Sequence, residues 1–493
     1  MSICKVDKKT HRKTVVGDKN FRYTRRKRHS FREKCIQIPE NGRLNLEQRL
    51  IGVKVAFLTL GCKVNSYETE AMLRLFREQG AEICAFEEAA DVYVVNTCTV
   101  TGIADRKSRQ MLHRAKKKKE DALVVAVGCY AQEAGEALLE DKAVDLVVGN
   151  NQKSKVTELV AEALQKKGKE RKYALLEDLS ANSGYEELFV SDISEKTRAY
   201  IKIQDGCNQF CSYCIIPYVR GRIRSRVPEE VIREVKELTE KGYQEVVLTG
   251  IHLSSYGNES APGNQLDGKK LAELILALNV LPGLRRIRLG SLEPRIVTRE
   301  FVDELKKAEK LCPHFHLSLQ SGCDETLKRM NRKYTAEEYA NACVLLREAF
   351  ELPAITTDVI VGFPGETEEE FETTYRFLER MRFAQMHIFR YSVRKGTRAE
   401  KLPNQVPEPV KAVRSERLLE LEKRLRNAYT TEILGLEEEI LTEDMVTIEG
   451  KTYRNGYSKR YIRYVLDRDD VGENVIVTGI AEKLLTEDCI CLK

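Results

Sequence analysis

YIKIQDGCNQFCSYC, residues 200–214, joins a short run rich in β-formers to a polar loop that carries Cys207, Cys211 and Cys214. The run predicts a buried strand, and the loop starts where that strand ends. Five comparable runs follow: EVVLT (245–249), RIRLG (286–290), FHLSL (315–319), ITTDVIVG (355–362) and MHIFRY (386–391). Helical stretches such as PEEVIREVKELTEKG and EEEFETTYRFLERM lie between them. Six β/α units predict an incomplete β/α barrel, a (β/α)6 form built on the rules of the eightfold one. Such barrels place their chemistry at the carboxyl ends of the strands, and the cysteine loop sits there.

The rest of the chain divides around this core. VKVAFLTL, DVYVVNT, ALVVAVG and AVDLVVGN alternate with helical stretches over 53–165. Their unbroken apolar character predicts a parallel sheet covered on both faces, an α/β domain. Residues 166–192 read as a polar linker and 193–425 as the barrel. Residues 426–493 change period and predict a small all-β, OB-like unit. The whole is an α/β multidomain chain. Residues 1–52 are basic and lack apolar periodicity. They are expected to be a disordered extension, with a nucleic-acid-contacting arm, a transit segment or an untranslated stretch before Val53 as other readings.

At 493 residues the chain is long enough for about three domains. The net charge of +6 is compatible with a polyanionic partner without requiring one. No apolar run approaches the roughly 20 residues of a membrane span, and no signal segment precedes the first strand. A soluble, cytoplasmic protein is expected. Fourteen cysteines in a reducing compartment point to metal binding where they cluster, not to disulfides.

The spacing C-x3-C-x2-C lets one loop wrap three thiolates around a single centre. Structural zinc takes four protein ligands, and no fourth Cys or His follows closely. Iron–sulfur cubanes take one thiolate per iron, so three would leave an iron open for a small molecule. A three-cysteine zinc site with a distant His, or a chance cluster of core cysteines, is the alternative. The N-terminal region carries a split version of the pattern. Cys62, Cys98 and Cys129 each follow a predicted strand, and in a parallel sheet those ends share one edge. Buried cysteines near strand ends are the bland reading of the same fact. Cys84 lies inside a strand-like run and reads as a core thiol.

The loop at 207–214, with Tyr213 between its last two cysteines, resembles the radical S-adenosylmethionine (SAM) signature. LGCKVNSYETEAM, NTCTVT and GCYAQ around Cys62, Cys98 and Cys129 resemble the ligand motifs of the methylthiotransferase family. RLGSLEP, FHLSLQSGCDETLKRMNRKYT and YSVRKGTRAEKL extend the likeness through the barrel. The resemblance runs from about residue 54 to the C-terminus. It implies a methylthiotransferase N-terminal domain, a radical SAM core and a C-terminal TRAM domain.

It also implies two 4Fe–4S clusters and SAM. The cluster on Cys207, Cys211 and Cys214 would cleave SAM, and that on Cys62, Cys98 and Cys129 would carry the sulfur. Beyond the cluster ligands no catalytic residue is assigned. Thr249, Gly250, Glu293, Arg295, Gln320, Asp358 and Gly362, at or near strand ends, are candidate SAM or substrate contacts. Lys63 and Val64 resemble the branch that methylthiolates carbon 2 of N6-threonylcarbamoyladenosine beside the anticodon of tRNA. Branches acting on isopentenyladenosine or on a ribosomal-protein aspartate usually differ there. Partners implied are tRNA, a flavodoxin- or ferredoxin-like electron donor and a sulfur source. A zinc-stabilised, non-catalytic RNA-binding protein is the rival of another class.

YRNGYSKRYIRY (453–464) interleaves Tyr453, Tyr457, Tyr461 and Tyr464 with Arg454, Lys459, Arg460 and Arg463. It could stack on bases and neutralise phosphates, or pack its tyrosines inward. AKKKK (115–119) reads as a solvated helix end. His252, His314 and His316 read as structural, as do Cys312, Cys323 and Cys343. Cys489 and Cys491 alternate on a strand and are expected to share a face.

Overall fold

The computed structural model describes residues 49–493 apart from 167, 181–183, 191–196, 260–265 and 469. The basic extension therefore lies outside the described residues, save for its last four. The N-terminal sheet holds β1 (Lys54–Thr59), β2 (Glu82–Cys84), β3 (Val92–Thr97), β4 (Leu123–Gly128), β5 (Leu146–Val148) and β6 (Tyr173–Leu175). They run in the order β2-β1-β3-β4-β5-β6, every pair parallel. Every residue of β3 and β4 is buried, which is why these strands read as unbroken apolar runs. Helices α1 (Lys63–Glu78), α2 (Gly102–Lys118) and α3 (Cys129–Ala134) begin just after β1, β3 and β4. Two apolar clusters fill the faces, one around Phe76 and Val94, the other around Tyr93 and Leu112.

The sixth strand lies within the stretch read as a linker. Three residues between charged neighbours are too short to show a period, and only pairing with β5 makes them a strand.

The barrel strands are β7 (Arg198–Asp205), β8 (Arg224–Ser225), β9 (Glu245–Gly250), β10 (Arg286–Leu289), β11 (His314–His316), β12 (Ala354–Val361) and β13 (Gln385–Arg390). One sheet runs β10-β9-β7-β8 and another β11-β12-β13. Parallel bridges Ile287↔Leu311 and Leu292↔Leu317 link them. The six expected strands thus follow one another in parallel, and β8 runs antiparallel along β7. The long helix Glu408–Ile433 packs on β13 and leads into the C-terminal unit.

That unit is a closed barrel of β14 (Glu437–Ile448), β15 (Lys451–Ser458), β16 (Arg463–Leu466), β18 (Cys489–Leu492) and β17 (Ile476–Thr486). Among the described residues no helix is long and apolar enough to cross a membrane.

Candidate functional site

The cysteine loop is fixed by backbone geometry before any ligand is considered. Gly206 sits at φ +72, and a Cβ there would lie 1.8 Å from the Arg222 carbonyl oxygen. Only glycine allows the chain to leave β7 so sharply. Cys207 N donates to Gly221 O (3.0 Å), and Cys214 N to Cys211 O (3.0 Å). Ser212 Oγ donates to Arg329 O at 2.8 Å, pinning the loop to the segment after β11. Arg332 Nη1 donates to Cys211 Sγ at 3.3 Å. Burial pushes the Cys207 thiol up, with Cys214 and Cys211 adding to it. Burial, then Cys211, pushes Cys214 up to about 12. Tyr213 meets Phe363 edge-on.

Several predicted contacts gather beside this loop. Arg295 Nη2 donates to Gln209 Oε1 (3.2 Å), and its Nε pairs with Glu293. Glu293 Oε2 lies 2.7 Å from His252 Nε2, and His252 Nδ1 lies 2.5 Å from Ser255 Oγ. Burial pushes the Glu293 carboxyl up, but His252 and Arg295 outweigh it and bring it down to about 2. His252, read as merely structural, is therefore bonded to a predicted site residue. Thr249 and Gly250 end β9, and Gly250 packs against the Gln204 side chain. Gln320 is held at φ +76, its backbone bonded to Asp358 and Ile360.

Two candidates point elsewhere. Asp358 faces His316 Nε2 at 3.2 Å, and with His387 their ligand atoms lie within 4.8 Å of one another. Gly362 packs against Lys411, where a Cβ would come 2.3 Å from Cγ. Its missing side chain serves helix packing.

The split triplet converges as the shared sheet edge requires. Cys62 caps α1, Cys98 follows β3, and Cys129 opens α3. Gly128, at φ +91, has no room for a Cβ, which would fall 2.5 Å from Asn96 Oδ1. A Cβ on Gly61 would lie 3.1 Å from Cys98 Sγ, so the Cys62 loop touches the Cys98 thiol. Burial pushes the Cys62 and Cys98 thiols up, Arg220 opposes this, and Cys129 acts on both. Cys84 lies in β2 against the apolar cluster, as expected of a core thiol.

A buried charged network, not legible in the sequence, runs from the sheet-edge triplet to Asp205 at the end of β7, where the barrel loop begins. Arg220 follows the short helix after the barrel loop. Its Nε donates to Cys129 Sγ at 3.3 Å, and Asn150 Nδ2 approaches the same sulfur at 3.6 Å. Arg220 Nη1 and Nη2 donate to the two oxygens of Glu68 at 2.8 and 3.0 Å. Lys202 Nζ lies 2.8 Å from Glu68 and 2.6 Å from Asp205, and Lys153 Nζ 3.2 Å from Glu68. Every one of these side chains is buried. Burial pushes Glu68 up, but Arg220, Lys153 and Lys202 hold it well below the carboxylate range. The cations outnumber the carboxylates, so the network suits an anionic centre on the neighbouring thiols.

Three thiols at each site suit an iron–sulfur cubane held at three corners, which takes one thiolate per iron.

Residues 201–378 match the model of the radical SAM superfamily, and 54–149 that described as "Uncharacterized protein family UPF0004". The threonylcarbamoyladenosine tRNA methylthiotransferase MtaB of Bacillus subtilis (strain 168) is 42% identical over 427 residues, 86% of this chain and 93% of the relative. The chain belongs to the radical SAM methylthiotransferase family. The MtaB of Aquifex aeolicus (strain VF5) is 40% identical over 410 residues, 82% of this chain and 98% of that one. In fold, the radical SAM methyltransferase TsrM from Kitasatospora setae aligns with TM-score 0.50 at 16% identity, covering 68% of this chain and 72% of that one. As a radical SAM methylthiotransferase the protein is an enzyme whose cofactors are SAM and 4Fe–4S clusters.

The tyrosines of the C-terminal unit do not form a free stacking face. Tyr457 and Tyr461 stack on each other with ring centroids 5.1 Å apart. Arg198 and Arg288 of the barrel lie 5.1 and 4.7 Å from the Tyr461 centroid. Tyr464 is buried. The lysines at the end of α2 are ion-paired: Lys116 with Asp145, Lys118 with Glu87 and Lys119 with Asp91.

Proposed function

We propose that this enzyme methylthiolates carbon 2 of N6-threonylcarbamoyladenosine beside the anticodon of tRNA. The reading is carried by two three-thiol sites, at the barrel mouth and at the sheet edge, with Arg220 from the segment after the first reaching Cys129 of the second. Cys207, Cys211 and Cys214 would hold one cluster, which when bound would supply the site for SAM. Cys62, Cys98 and Cys129 would hold the other, which when bound would supply the sulfur to be donated. When bound, these clusters would supply one-electron reduction of SAM and a sulfur donor, because no side-chain base can deprotonate an unactivated C–H bond.

The chain's own residues hold these groups and shape the space between them. Arg332 and Arg220 donate to one sulfur in each triplet and offset the charge of deprotonated thiols. Glu293, kept ionised by His252 and Arg295, is available to a SAM ammonium beside the loop. Thr249, Gly250 and Gln320 line the same strand ends, while Asp358 faces the cavity under the barrel mouth. The C-terminal barrel serves as a TRAM-type RNA-binding module. The domains are read as 53–165, to which β6 pairs as a further strand, 193–425 and 426–493. A flavodoxin- or ferredoxin-like donor and an external sulfur source complete the reaction.

Anaerobic reconstitution tests this. The protein should take up about eight irons and convert threonylcarbamoyladenosine in tRNA to its 2-methylthio form. Replacing Cys62, Cys98 and Cys129 by Ala should leave about four irons and SAM cleavage, with no sulfur insertion. A colourless zinc protein would overturn the proposal.

A further inference from the structure

A cavity of about 540 Å³ lies between the open interior of the β/α barrel and the C-terminal barrel. His314, Thr356 and His387 line it from the strands, Tyr457 and Tyr461 from the C-terminal unit, and Lys63 from the start of α1. Lys63 directly follows Cys62, so the cavity adjoins the sheet-edge triplet.

The cavity wall around Lys63 is short of negative charge. Its Nζ lies over the rings of Tyr200 and Tyr461, 5.8 and 6.0 Å from their centroids. Among the described residues it forms no ion pair. Arg198 and Arg288 stand behind the same Tyr461 ring and share Glu245, at 3.3 and 2.8 Å. The acidic groups of the cavity already have partners. Asp358 faces His316 (3.2 Å), Asp488 accepts from Thr486 (2.8 Å), and Glu487 pairs with Lys423. Tyr461 is held at φ +65, a backbone state that a tyrosine keeps only where its surroundings fix it. A preformed polar hollow with an unpaired ammonium and aromatic walls favours an anion attached to a planar or apolar body.

We propose that this cavity receives the threonyl arm of the modified adenosine and that Lys63 pairs with its carboxylate. This rests on the reading of threonylcarbamoyladenosine as substrate. The threonyl arm ends in a free carboxylate, whereas an isopentenyl arm is uncharged and would leave Lys63 without a partner. Lys63 is thereby a specificity residue that touches substrate away from the reacting carbon.

The test uses reconstituted enzyme and two tRNAs that differ only in whether the threonyl carboxylate is free or methyl-esterified. Wild type should favour the free acid by about 10-fold or more in kcat/KM, the scale of one charge-assisted hydrogen bond. Lys63→Gln should treat the two alike, and Lys63→Arg should keep the preference. Calorimetry with the free nucleoside acid and its ester gives the same comparison without turnover. Equal use of acid and ester by wild type, or an undiminished preference in Lys63→Gln, overturns the assignment while the substrate reading stands. Failure of wild type to modify either tRNA overturns both.

Discussion

Arg220 Nε lies 3.3 Å from Cys129 Sγ, although Arg220 belongs to the barrel and Cys129 to the N-terminal sheet. Only six positions separate Arg220 from Cys214. The segment that leaves one triplet thus delivers a buried cation to the other. The same guanidinium clamps Glu68 of α1 through both oxygens.

Arg220→Met should therefore act in two ways. Removing one partner from a fully buried ion-pair network costs about 3 kcal/mol, which thermal unfolding of the apoprotein would register as a lower Tm. Losing a charged donor to a ligating sulfur should lower the reduction potential of the sheet-edge cluster. A redox titration followed by electron paramagnetic resonance reads this. An unchanged potential would separate Arg220 from that cluster.

Glu293 gives a pH prediction. Its folded carboxyl is brought from 4.5 down to about 2. A depressed pKa adds stability above the unfolded value that fades as pH falls through the folded one. The difference corresponds to about 3 kcal/mol for this buried group. Glu293→Gln should thus lower Tm fully at about pH 6 and progressively less toward pH 3. A penalty that stays constant over that range would contradict the assignment.

Glu245 organises the docking of the C-terminal barrel. Arg288 Nε donates to it at 2.8 Å, with Arg198 and Arg286 at 3.3 and 3.5 Å. Arg286 and Arg288 then reach across to the carbonyls of Tyr457 and Lys459, at 2.9 and 2.8 Å. Glu245→Gln leaves three arginines without their shared counter-charge, at a cost of about 3 kcal/mol. Amide hydrogen exchange in β14 and β15 should accelerate. Unchanged protection there would show that the docking rests on other contacts.

The barrel and the sheet were legible because their strands are apolar runs with a cysteine or glycine at the carboxyl end. β3 and β4 are buried on both faces, so no alternation blurred them. The placement of Cys62, Cys98 and Cys129 was legible because strand ends in a parallel sheet share an edge, and that of Cys207, Cys211 and Cys214 because one loop carries all three. β6 escaped notice because a three-residue strand shows no period. Glu68 and Lys202 escaped because a charged residue in a helix or strand normally reads as solvated. Only the meeting of two domains turns them inward. His252 looked structural because its partner, Glu293, lies 41 positions away. For Tyr457 and Tyr461 the sequence left base stacking and inward packing both open, and arginines of β7 and β10 lie against them.

The most direct measurement is mass spectrometry of tRNA nucleosides from cells with the gene intact, deleted and restored. Deletion should remove the 2-methylthio derivative and leave threonylcarbamoyladenosine to accumulate. Wild type should restore it, and Cys129→Ala should not. An unchanged level of the methylthio nucleoside after deletion would contradict the account.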